Sequence, residues 1–135
     1  MFLLLYKGEY GNTWDKIICL VTRSKYSHIE LAFDKINVYH RSWSSSTRDG
    51  GVRQAYIDTT TNHWDIIPLP INVSEKLFLQ EKGKEYDYIG LIGTVIKTPI
   101  FSSRRKWFCS EIVAEALGLE DSWKYTPEDL YQLYK

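Results

Sequence analysis

Three residues in this chain could together make a thiol nucleophile: Cys109, His28 and His40. Cys109 opens a stretch in which Cys109, Ile112, Val113, Ala116 and Leu117 recur at helical spacing, with Gly118 placed to end the helix in a left-handed conformation. A cysteine in the first turn faces unpaired backbone N–H groups and the positive end of the helix dipole, both of which favour a thiolate. Arg104, Arg105 and Lys106, just upstream, would add to that field. A thiol at this place needs a base within hydrogen-bond reach and a third group to orient the base.

The base is sought on the segment Tyr26–Phe33, which alternates as a strand. Ile29, Leu31 and Phe33 fall on one face, and Tyr26, His28, Glu30 and Ala32 on the other. A turn over Asp34–Asn37 would return the chain through Val38–Trp43. Centred on Asp34, it would set His28 opposite His40, with Cβ atoms about 5 Å apart. On this reading the Cys109 helix packs on the His28 face, over the small Ala32. His28 takes the thiol proton, and His40 fixes the tautomer of His28. The Cys109 N–H is one oxyanion donor. Tyr26, and Ser110 beside the cysteine, are candidates for further oxyanion or substrate contacts. Each residue alone also has an ordinary structural reading, as does Cys19, expected to be a small buried hydrophobe. His63 is read as a loop residue.

The rest of the chain supplies the frame. Phe2–Tyr6 reads as a strand, and Thr13 as the cap of a helix over Trp14–Arg23 buried through Trp14, Ile17, Ile18 and Val21. Ser44–Gly51 reads as a polar loop, and Val52–Ile57 and Trp64–Leu69 as strands. A helix over Glu75–Lys82 is capped by Ser74 and ends at Gly83, a second spans Tyr86–Ile96, and Ser102–Lys106 is a basic loop. Thr126, Pro127 and Asp129 start a last helix. Strands followed by helices predict one α+β domain over residues 1–135, with an antiparallel sheet against the Cys109 helix.

Composition narrows the function. The 17 basic and 17 acidic residues balance, so no global field points to nucleic acid or a membrane surface. No phosphate loop is present, no CxxC or HxxxH spacing suggests a metal, and no cofactor is expected. No run approaches a transmembrane length, and Phe2–Tyr6 is too short for a signal segment. The expectation is a cytoplasmic protein with free thiols.

Tyr26-Ser27-His28-Ile29-Glu30-Leu31, Asp49-Gly50-Gly51-Val52-Arg53, Gly83 with Tyr86-Asp87, Cys109-Ser110-Glu111 and Thr126-Pro127-Glu128-Asp129-Leu130 occur in that order. Together, over residues 26–130, they resemble the circularly permuted NlpC-like papain superfamily of the YiiX/YaeF type, including small bacteriophage-encoded members. The resemblance implies a permuted papain-like fold in which the His-bearing strand precedes the Cys-bearing helix. It also implies cysteine-dependent cleavage or transfer of amide, ester or thioester bonds. The catalytic cysteine carries over to Cys109, the histidine to His28 and the third polar residue to His40, where members of this type often have a carboxylate. A second histidine there is more similar to the lecithin:retinol acyltransferase-like branch. The reading is a thiol hydrolase, an amidase or peptidase acting on a peptide, isopeptide or acyl substrate. Its alternatives are an acyltransferase or thioesterase, a non-catalytic host-protein-binding module and a virion-associated structural protein.

Overall fold

The strand that carries His28 lies at the middle of the molecule. The computed structural model describes residues 1–87 and 106–135. Five antiparallel strands, β1 (Phe2–Lys7), β2 (Tyr26–Ile36), β3 (Tyr39–Ser46), β4 (Gly51–Asp58) and β5 (Trp64–Pro68), form one sheet in the order β4-β3-β2-β1-β5. Among the described residues four α-helices accompany it: α1 (Thr13–Thr22), α2 (Lys76–Glu81), α3 (Cys109–Ala116) and α4 (Pro127–Tyr134). The chain is α+β, and the antiparallel sheet packs against the Cys109 helix.

Alternation divides the sheet residues between two faces. Leu3 and Leu5 of β1, Ile29 and Leu31 of β2 and Trp43 of β3 share one buried cluster with Cys109, Ile112 and Val113 of α3 and Leu130 of α4. Helix α3 therefore covers the Ile29/Leu31 face, not the His28/Ala32 face expected of it. The apolar residues of α3 match the apolar residues of that face, whereas His28 and Glu30 point the other way. At its end, Gly118 has φ 75° and the Leu119 N–H bonds the Ala114 carbonyl at 3.1 Å, closing the helix as expected. Helix α4 starts with the capping box predicted from Thr126 and Asp129, with Pro127 in the first turn.

Three departures from the sequence reading have local causes. Helix α1 is capped by Asn12, one residue early, in a box with Asp15. Of its apolar stripe only Ile18 is buried, while Trp14, Ile17 and Val21 stay 37–43% exposed. Ser44 and Ser45, read as loop, continue β3, and with Ser42 of the expected strand they are wholly buried because each hydroxyl finds an acceptor: Ser42 on Glu30, Ser44 on the Ile29 carbonyl and Ser45 on the Trp107 carbonyl. Helix α2 begins at Lys76, whose N–H is met by the Ser74 hydroxyl at 3.1 Å. The helix expected over Tyr86–Ile96 and the basic loop at Ser102–Lys106 fall largely outside the described residues. Tyr86 itself forms a parallel bridge with Trp107.

Gly51 is where the sheet meets the segment leading toward the site. Val52 N–H donates to the Lys84 carbonyl at 2.9 Å, and a Cβ on Gly51 would lie 1.9 Å from that same carbonyl oxygen. Because backbone cannot swing aside as a side chain can, Gly51→Ala is expected to lower stability by about 1–3 kcal/mol. A thermal or denaturant melt checks this, and an unchanged midpoint would contradict the close approach.

Candidate active site

Two residues of β2, His28 and Glu30, spaced by one, lie at the candidate site. Strand β2 carries a bulge: Tyr6 pairs with His28, but the next β1 residue, Lys7, pairs with Tyr26, leaving Ser27 as the extra residue. A bulge exchanges the faces on its two sides. Beyond it, Tyr26 turns into the helix-covered core, while His28 and Glu30 keep the opposite face. Tyr26 is fully buried, donates its hydroxyl to Asp65 Oδ2 at 2.6 Å and packs its ring on Tyr131. It does not share a face with His28. Ser110 also lies at its own place, donating its hydroxyl to the Tyr125 carbonyl at 2.6 Å and tying α3 to the start of α4.

His28 Nε2 meets Glu30 Oε1 at 2.8 Å, and the Cys109 side chain lies close enough to the same imidazole to help raise its pKa. With Nε2 on the carboxylate, Nδ1 is the ring nitrogen left for the sulfur. Cys109 is positioned by the segment before it. The Trp107 N–H donates to the Glu85 carbonyl at 3.1 Å, the Trp107 carbonyl accepts from Asp87 N–H at 3.0 Å and from the Ser45 hydroxyl at 2.6 Å, and Phe108 is fully buried. Cys109 is then the first residue of α3, as predicted, with its N–H in the first turn. Thiol and imidazole, 81 residues apart in sequence, are brought together.

His40 is not the third member. The chain turns at Asn37, whose φ of 56° suits an asparagine, not at Asp34. A second bulge separates Ala32↔Ser42 from Asp34↔Arg41, so His40 faces Lys35. His40 packs edge-on against Phe2 and holds the Thr59 hydroxyl with Nδ1 at 3.0 Å. Phe2 and Tyr6, the β1 neighbours of the two histidines, are four residues apart, about 13 Å along the strand. The orienting residue is Glu30. Its side chain is completely buried and accepts from Arg53 at 2.6 Å on Oε1 and 2.9 Å on Oε2, and from the Ser42 hydroxyl at 2.9 Å. Arg53 in turn is held by Asp49 at 2.8 Å. The one trace of this in the sequence is that Glu30 alternates onto the same face as His28, two residues away.

The electrostatics follow from these contacts. Burial alone pushes the His28 pKa down, but hydrogen bonds to Cys109 and Glu30 and their negative charge outweigh it and raise it from 6.5 to about 9. Burial alone pushes Glu30 up, yet the His28 hydrogen bond and the Arg53 charge bring it from 4.5 to about 2. Cys19, half-buried on α1, differs: burial, the largest influence, raises its thiol pKa. His63 lies in a loop, stacked on Tyr10 at 4.3 Å.

Among the described residues, no three His, Cys, Asp or Glu side chains cluster as a metal site would require, and no helix is long and apolar enough to cross a membrane. What Cys109, His28 and Glu30 can do together is transfer a proton from sulfur to nitrogen and hold the resulting imidazolium against a buried carboxylate. The chain matches no family model, no curated protein and no solved structure.

Proposed function

We propose that this protein is a cysteine-dependent hydrolase, an amidase or peptidase on a permuted papain-like fold, using Cys109 as nucleophile, His28 as base and acid, and Glu30 in the place assigned to His40. The supporting observation is His28 held by the buried Glu30 at 2.8 Å with the Cys109 side chain acting on the same imidazole. The order of a His-bearing strand before a Cys-bearing helix is the one the resemblance implies. The acyltransferase-like branch rested on a second histidine, and a carboxylate in that role removes its basis.

In the reaction, His28 Nδ1 takes the thiol proton and Cys109 Sγ attacks the substrate carbonyl. The first-turn N–H of Cys109 faces the developing oxyanion. Collapse of the tetrahedral adduct expels the amine, which takes the proton from His28 and leaves a thioester on Cys109. Water then gives a proton to His28 and its oxygen to the acyl carbon, releasing the acid and restoring the thiol. Candidate substrates are a cell-wall peptide, an isopeptide or a lipid acyl group.

The test is alkylation by iodoacetamide, with mass spectrometry separating adducts at Cys109 and Cys19. Cys109 is expected to react faster than Cys19, and His28→Ala to slow Cys109 alone. A Cys109 rate indifferent to His28 would sink the enzyme reading and leave a binding module on the same fold.

A further inference from the structure

A cavity of about 230 Å³ opens on the sheet face opposite α3 and shares His28 and Glu30 with the site. That is below the roughly 300–1,000 Å³ of cavities that enclose a whole small ligand, so it has room for one side chain of a larger substrate. Its apolar and aromatic lining comes from six residues: Tyr6 of β1, Ile18 of α1, Ala55 and Ile57 of β4, Trp64 of β5, and Tyr86. Tyr6 and Trp64 meet edge to face with ring centres 5.0 Å apart, giving a rigid aromatic wall.

The charged groups around this cavity are already matched to one another. Arg48 lies on Asp15 at 2.7 Å, Arg53 on Glu30 and Asp49, and His28 on Glu30. A charged side chain entering here would lose its water and find its counter-ion engaged, and is disfavoured unless a pair is broken. A neutral apolar or aromatic side chain meets no such cost and gains about 25 cal/mol per Å² of surface it buries.

We infer that this cavity is the specificity pocket, and that it selects substrates carrying an uncharged aromatic or branched aliphatic side chain next to the scissile bond. The inference rests on the hydrolase reading above, in which Cys109 and His28 form one unit.

The experiment compares N-acetyl amino-acid chloromethyl ketones of Phe, Leu, Glu and Lys. In each, Cys109 Sγ displaces chloride, so the labelling rate reads how well the single side chain is accepted. The Phe and Leu reagents are expected to label Cys109 at least about tenfold faster than the Glu and Lys reagents. Ala55→Phe, which fills the cavity, is expected to bring the Phe-to-Glu ratio toward one, and the milder Ala55→Val to lower it less. Equal rates for all four reagents in the wild-type protein, or a ratio unmoved by both variants, would overturn the pocket. Iodoacetamide carries no side chain and reports on the Cys109–His28 pair alone. Labelling by it that ignores His28 defeats the hydrolase reading. His28-dependent labelling by it, together with indifference among the chloromethyl ketones, defeats only the pocket.

Discussion

Arg53→Met is expected to lower the unfolding free energy by about 3–5 kcal/mol. Glu30 is completely buried, and Arg53 supplies two of its hydrogen bonds and the permanent positive charge opposite it. Methionine fills much of the arginine's volume, so packing is roughly kept while the carboxylate loses its fixed counter-charge. Folding would then require Glu30 to stay ionised against His28 and Ser42 alone, or to take up a proton. The double variant Glu30→Leu with Arg53→Met separates these causes. If the penalty comes from an uncompensated buried charge, the double variant is more stable than Arg53→Met alone, because the fully buried carboxylate is gone. Urea melts of the three proteins check this. A double variant less stable than the single would show that lost packing, not stranded charge, is responsible.

Glu30→Gln is expected to reduce acylation of Cys109 by p-nitrophenyl acetate about 10²–10⁴-fold, the range spanned by a positioned acid–base group. The amide cannot hold an imidazolium as a carboxylate does. A structural role alone would lower the folded fraction, whereas the proposed role also moves a titration. The chain has three histidines, so their ring proton signals are few enough to follow by NMR. His28 is expected to titrate near 9 in the wild-type protein and lower in Glu30→Gln, since Glu30 and Cys109 together overcome the burial that would otherwise depress it. A wild-type His28 titrating at or below its ordinary 6.5 would contradict the arrangement.

The same shifts give the stability a pH window. His28 has its pKa raised on folding, so its contribution is complete below 6.5 and is lost as pH rises through about 9. Glu30 has its pKa lowered, so its contribution is complete above 4.5 and is lost as pH falls toward about 2. Both contributions are whole between these two ordinary values, and the midpoint of thermal unfolding is expected to fall on either side.

Much of this was legible in the sequence because it is written in periodicity and caps. The apolar spacing after Cys109, the glycine at 118 and the Thr126–Asp129 box depend only on neighbours in the chain, and the structure has them where expected. Cys109 and His28 were both identifiable because each stood on an element with a clear period. The identity of the third residue was not, because it depends on register. Each bulge in β2 adds a residue that alternation cannot foresee, and the turn at Asn37 rather than Asp34 slides β3 along β2. These changes move His40 away from His28 and turn Tyr26 to the other face. Glu30 escaped for a different reason. A charged residue on a strand is ordinarily solvated, and only the arrival of Arg53 from β4, 23 residues later, makes its burial affordable. The buried serines of β3 follow the same rule: polar residues pass for loop until their acceptors, on other strands, are known.

That His28 and Glu30 share one strand, at the third of five places in the sheet, bears on how the protein would lose activity on heating. A site assembled from separate loops can come apart by local opening while the rest of the molecule stays folded. Here base and orienting carboxylate are joined by a single intervening residue, and both pair with β1, His28 with Tyr6 and Glu30 with Leu4. Their separation is fixed by covalent geometry and by the β1 ladder beside them, while β3 joins β2 from Leu31 onward. Amide protons over His28–Glu30 are accordingly expected to exchange slowly, and loss of the proposed activity through this half of the site to coincide with melting of the β1–β2 ladder.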